Sequence, residues 1–133
     1  MEFALEPGLS YEVTERVRSE HTAASFGSGG VKVLATPMLV ALLEGAAMNA
    51  VQTSLPAGWT TVGTKVEISH LAATPVGMQI SGQAELVEVE GRRLVFAVEA
   101  HDEQEKVGQG RHERFIVNRD RFEQRARTKA DSI

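Results

Sequence analysis

One segment constrains the fold of this 133-residue chain more than any other. Residues 37–55 read PMLVALLEGAAMNAVQTSL, apolar on nearly every side. Thr36 makes a good N-cap before it, and Pro37 a good first helical residue. Residues 55–58, Leu-Pro-Ala-Gly, end it. With so few breakers the segment is a helix, and a helix apolar nearly all round must be buried on most sides. Everything downstream reads as strand. Residues 60–71 alternate and put Val62, Thr64, Val66, Ile68 and His70 on one face. Residues 72–77, AATPVG, form a turn. Residues 78–90 and 92–102 are strands joined around Glu90-Gly91-Arg92, a tight hairpin signal. Residues 106–118 are a further strand, and 119–129 a short polar helix or tail. Upstream, residues 10–18 place Tyr11, Val13, Glu15 and Val17 on one face of an edge-like strand, and the Gly-rich stretch 21–35 reads as a loop.

The expected order is strand, long buried helix, then four strands in meander-like succession. A flat sheet cannot bury a helix on every side. A curved antiparallel sheet wrapped around it can, with a second subunit closing the rest. That is an α+β architecture, the hotdog fold, which normally forms dimers with one continuous sheet. Length allows one domain spanning 1–133, with its core at about 9–118. Apolar residues at 42% and charged residues at 24% fit a globular chain and exclude disorder. The absence of cysteine excludes a disulfide framework, a thiol nucleophile and a thiolate metal site. A net charge of −4 argues against a dominant nucleic-acid role. The N-terminus lacks a basic head with an apolar run, and the most apolar stretch is too short and too polar to span a bilayer. A soluble, cytoplasmic protein is expected.

Four positions could carry chemistry. Glu44 lies within the apolar helix, too deep to serve its N-cap. It either occupies one exposed stripe or is a carboxylate kept as general base, since an unpaired buried carboxylate is costly. His70 continues the apolar face of residues 62–68, as a satisfied core residue or a functional one. Thr36 is an ordinary N-cap residue, yet a helix N-terminus also offers free N–H groups to an oxyanion. Arg114 sits in His112-Glu113-Arg114 on the last strand, where charges usually face water. The run after it, five basic residues against Asp120 and Glu123, is a solvated tail or a contact for the phosphates of a ligand such as coenzyme A. Gly108 and Gly110 are no dinucleotide fingerprint, because no helix follows them. No metal site is expected: the pairs His101–Asp102 and His112–Glu113 are adjacent, so their side chains point to opposite strand faces.

The segments VLATPMLVALLE, VGTKVEISHLAATPVG, VEGRRLVFAVEAHD and GQGRHERFIV together resemble the fluoroacetyl-CoA thioesterase family of hotdog proteins. The resemblance runs from about residue 33 to 122. It implies a catalytic set of Thr36, Glu44 and His70, spaced eight and twenty-six residues apart, with Gly63 and Arg114 contacting the substrate. It implies hydrolysis of a small acyl-CoA, with coenzyme A entering as part of the substrate and no other cofactor. Two departures stand out. Gly27 and Gly30 occupy the loop where the family carries bulky aromatic lid residues, and Gly45 follows the glutamate where the family has tryptophan. Fluoroacetyl selectivity is therefore not carried over.

Geometry adds one constraint. Eight helical residues rise about 12 Å, so Thr36 and Glu44 of one chain cannot meet if the helix is regular from Pro37 onward; either the site combines two subunits or the helix starts late. A composite site at a homodimer interface is expected, with tetramers open. The alternative function is a non-catalytic acyl-CoA-binding hotdog domain, which would bind without turnover. A hydratase or dehydratase would need an Asp–His pair in a pattern that is not found.

Overall fold

The computed structural model describes residues 3–133. The long apolar segment is a 17-residue helix, α2, over Thr36–Gln52. A four-residue helix, α1, over Ala23–Phe26 precedes it, and α3 over Arg119–Asp131 closes the chain. Five strands make one antiparallel sheet: β1 Ser10–Arg16, β2 Trp59–His70, β3 Gln79–Glu90, β4 Arg93–Asp102 and β5 Lys106–Asn118. The stretch expected to be loop, 21–35, therefore holds α1, and one turn of 3-10 helix at Ser19–His21 leads into it.

The spatial order is β1-β3-β4-β5-β2. Strands β3, β4 and β5 form a meander, but β2 does not join β3 as expected. It pairs with β5 and becomes the far edge of the sheet. The 71–78 connection crosses the sheet end between them. It is pinned there by Thr74, whose hydroxyl donates to Asp102 at the β4–β5 turn and whose carbonyl accepts from Leu34 N–H.

The sheet curves round α2, which touches all five strands. Leu39, Leu42, Leu43, Ala46, Ala47, Ala50 and Val51 recur at helical spacing and are buried. Each buried leucine stabilises the fold by about 2 kcal/mol. Close approach depends on missing side chains in the sheet: a Cβ at Gly82 would lie 2.9 Å from Leu42 Cγ, and one at Gly108 2.9 Å from Leu39 Cδ2. The burial is less complete than the composition implies. Thr36, Pro37, Ala41, Met48 and Asn49 form an exposed stripe, with Val40, Glu44 and Gly45 half-buried along it.

Strand β2 contains a bulge. Gly63 pairs with Arg114, Lys65 pairs with Glu113, and Thr64 between them is the extra residue. An extra residue reverses the facing of everything beyond it. The inward face of β2 is thus Thr61 and Gly63, then Val66, Ile68 and His70, rather than the uninterrupted alternation from Val62. Further along the pair, Gly110 lets β5 lie against β2, because a Cβ there would collide with the Glu67 carbonyl. Gly110→Ala should force the edge strand outward and cost about 2 kcal/mol. Denaturant unfolding checks this; an unchanged midpoint would contradict the close approach.

Candidate active site

The start of α2 differs from its expected form. Ala35 is the N-cap and makes no side-chain cap bond, while Thr36 lies inside the first turn. This frees the Thr36 hydroxyl, whose Oγ1 lies 2.7 Å from His70 Nδ1 at the end of β2. The opposite ring atom, His70 Nε2, is buried with no hydrogen-bond partner. Burial disfavours the imidazolium and pushes the His70 pKa below its ordinary 6.5. The pair opens onto an apolar cleft lined by Ala23, Val31, Val33, Leu71 and Ala72. A larger hollow on the outer sheet face is lined by Glu12, Gln83, Glu85 and Glu99 and lies away from this pair.

Glu44 is not part of that pair. It stands over Gly63, where an added Cβ would meet Glu44 Oε2 at 2.9 Å, His112 Cε1 at 3.2 Å and Arg114 Nη1 at 3.5 Å. The missing side chain of Gly63 is thus the space around which these three groups gather. Arg114 does not face water: it is 6% exposed. Its Nε donates to Thr61 Oγ1 at 2.7 Å and its Nη2 to the Thr61 carbonyl at 2.9 Å. Burial lowers its pKa, and the Glu44 charge opposes that through space.

The five expected residues therefore fall into two groups, Thr36 with His70, and Glu44 with Gly63 and Arg114. Sequence reasoning missed two members of the second group, Thr61 and His112. The signal for His112 was present, since residues two apart on a strand share a face and His112 stands two before Arg114. Among the described residues, no group of three or more His, Asp or Glu side chains is placed to hold a metal ion. No helix there is long and apolar enough to cross a membrane.

One helix lying in a curved antiparallel sheet is the hotdog arrangement, here with a hydroxyl–imidazole pair at the helix start, and its relatives place the chain among the hotdog-fold thioester hydrolases. A family model described as fluoroacetyl-CoA-specific thioesterase matches residues 17–120, which include all five site positions. A fluoroacetyl-CoA thioesterase from Streptantibioticus cattleyicolor is 40% identical over 98 residues, 74% of this chain and 70% of that protein. The chain belongs to the fluoroacetyl-CoA-specific thioesterase family. Among solved structures, the fluoroacetyl-CoA thioesterase FlK is 32% identical, with a TM-score of 0.88 over 95% of this chain and 98% of that one. A phenylalanine-to-alanine variant of FlK in complex with fluoroacetate and CoA superposes at 0.84, with 32% identity over 89% of this chain and 99% of that one. A Thermus thermophilus thioesterase superfamily member is 29% identical and superposes at 0.88, over 96% and 94% of the two chains.

Burial also pushes the His112 pKa below 6.5. The unfolded chain binds protons on both histidines below that value, whereas the folded chain resists until lower pH. Stability is then complete above 6.5 and declines as pH falls through the folded values. Two carboxylates act in the same direction at lower pH. For Asp102, burial is outweighed by the Gln104 and Glu105 N–H groups and the Thr74 hydroxyl, which hold its pKa below 3.8. For Glu113, the Arg93 hydrogen bond holds the pKa below 4.5. The melting temperature should fall between about pH 7.5 and 5.5, and fall less in His112→Gln. A flat profile over that range would contradict the depressed histidines.

Proposed function

We propose that the chain hydrolyses the thioester of a small acyl-CoA, releasing the free acid and coenzyme A, at sites built from two copies of itself. The observation that carries this reading is the division of the site residues. Thr36 and His70 meet at the start of α2, and Glu44 meets Gly63 farther along. Eight helical residues separate the groups by about 12 Å, too far for one carbonyl.

A two-fold axis unites them. When two β2 edges pair antiparallel, an axis between Val66 and Glu67 sets Gly63 of one chain opposite His70 of the other. When two α2 helices lie antiparallel, an axis at Val40 sets Thr36 of one opposite Glu44 of the other. One axis through both points serves both pairings, and both points lie on the surface a single chain leaves open, where Val66 is 38% and Met48 36% exposed. A twelve-residue edge strand is itself a template for pairing.

Hydrolysis forms a carbon–oxygen bond from water and breaks the carbon–sulfur bond. Glu44 takes the proton of the attacking water. The Thr36 hydroxyl, bonded to His70, positions the reacting group, and the imidazole, neutral at rest, takes the proton from Glu44 and delivers it to the departing thiolate. The N–H groups opening α2 and the Gly63 segment take the charge that develops on the carbonyl oxygen. Side chains and water suffice, with coenzyme A entering as part of the substrate. We place the reaction in the cytoplasm, where coenzyme A thioesters are made and used.

Release of free coenzyme A from short acyl-CoAs, read with a thiol reagent, tests the activity, because the protein contributes no thiol. Wild type should turn over, and folded Glu44→Gln should lose activity by about 100-fold or more. The composite site has its own test. Thr36→Val and Glu44→Gln, each inactive alone, should regain roughly one quarter of wild-type turnover after unfolding and refolding together, because each mixed dimer holds one intact site. No recovery would place each site within one chain.

The loop before α2 bears on selectivity. Gly27 ends α1 with φ of 89°, a left-handed conformation that a larger side chain resists. Gly30 has open space where a side chain would stand. With neither position carrying bulk, the acyl pocket is uncovered and tolerant. Acetyl-CoA and fluoroacetyl-CoA should differ by less than about 10-fold in kcat/KM. Gly30→Phe should fold normally and narrow the range of acyl groups accepted. Sharp confinement of the wild type to fluoroacetyl-CoA would overturn the open-lid reading.

A further inference from the structure

We propose that His112 is a positioning residue for the reaction: a buried neutral imidazole that fixes Arg114 beside Glu44 and Gly63. The inference rests on the thioesterase reading and extends it to a residue outside the family set named above.

The proton arrangement of His112 follows from its partners. The ring is 1% exposed. Nδ1 lies 2.8 Å from the Lys65 carbonyl, which can only accept, so Nδ1 carries the hydrogen. Nε2 lies 3.1 Å from Arg114 Nη1, which can only donate, so Nε2 presents its lone pair. Only the neutral Nδ1–H tautomer satisfies both neighbours. A protonated ring would set an N–H against the guanidinium.

The β2 bulge supplies the anchor. Lys65 stands just past the extra residue, and its carbonyl fastens the ring from one side. Arg114 is fastened from the other, by Thr61 through Nε and Nη2. Three of the five guanidinium N–H groups are then committed to protein acceptors. One of the two that remain is on Nη1, the nitrogen 3.5 Å from the vacant Cβ position of Gly63, which Glu44 Oε2 also borders. His112 thus decides which Nη1 hydrogen is consumed and which is left for that space. Around the imidazole, Glu44 approaches from α2 and Arg114 from β5, with Glu113 next to it in sequence. The Phe96 ring of β4 lies 6.4 Å away, centroid to centroid.

Two substitutions separate the two bonds. His112→Gln carries an amide oxygen to the Nε2 position and keeps an acceptor for Arg114. His112→Asn keeps a donor for Lys65 but is too short to reach Arg114. Both are polar and of similar size, and melting curves establish that each folds. The expected result is that Asn lowers kcat on the order of 10- to 100-fold with KM within about 3-fold, whereas Gln keeps kcat within about 3-fold. The second readout needs no turnover: the Arg114 Nη1–H resonance should keep its position and slow exchange in wild type and Gln, and lose both in Asn. Equal kcat in the two variants, or an unmoved Arg114 resonance in Asn, overturns the proposal. Wild-type protein that hydrolyses no acyl-CoA but shows the expected resonance pattern would sink the thioesterase reading and leave the positioning of Arg114 standing.

Discussion

The contact between α2 and the sheet sets the rest of the molecule. Gly82 and Gly108 remove the side chains that would hold the helix away, and Leu39 and Leu42 settle directly onto the strands. A helix seated this deeply has one side buried completely and one side that a single five-stranded sheet cannot reach. The open stripe from Thr36 through Ala41 to Met48 is the geometric remainder. Thr36 with His70, and Glu44 with Gly63 and Arg114, both border that remainder, so the surface left over by folding is also where the candidate site residues stand.

The bulge in β2 makes this placement possible. In an unbroken strand Gly63 and His70, seven residues apart, would point to opposite faces. The extra residue at Thr64 brings them to the same one. A single slip in the ladder therefore faces the imidazole toward Thr36 and the glycine toward Glu44. It also carries the Lys65 carbonyl that holds His112. Removing one residue from this strand would turn one group of the site out to the convex side.

The sequence made the helix, the strands and the hotdog arrangement legible, because each rests on local periodicity or on the need to bury an all-round apolar helix. Strand order was less legible. The chain carries no local mark that β2 crosses to the far edge; that depends on Thr74 meeting both Asp102 and Leu34, contacts between distant segments. The role of Thr36 was half legible, since its residue type suits a cap and only the structure turns its hydroxyl to His70. Gly63 could have signalled the bulge, as an interior strand glycine often does. The spacing of Thr36 and Glu44 made their separation visible in advance, because helical rise is fixed whatever the tertiary fold.

Burying Arg114 and His112 is an expensive way to fill a small core. A guanidinium loses its hydration on burial, and an apolar group of similar volume is often neutral or stabilising in its place. Three protein hydrogen bonds and the Glu44 charge offset the penalty here. They offset a cost that a leucine would never incur. Packing therefore does not account for the pair, and neither does the bulge, which Thr64 also ties to the Glu113 carbonyl. What the pair supplies and no apolar residue could is a fixed positive charge beside the Glu44 carboxylate, next to the space Gly63 leaves open. A reaction that passes negative charge from water to a carbonyl oxygen and then to a thiolate has use for such a charge, provided that it does not move.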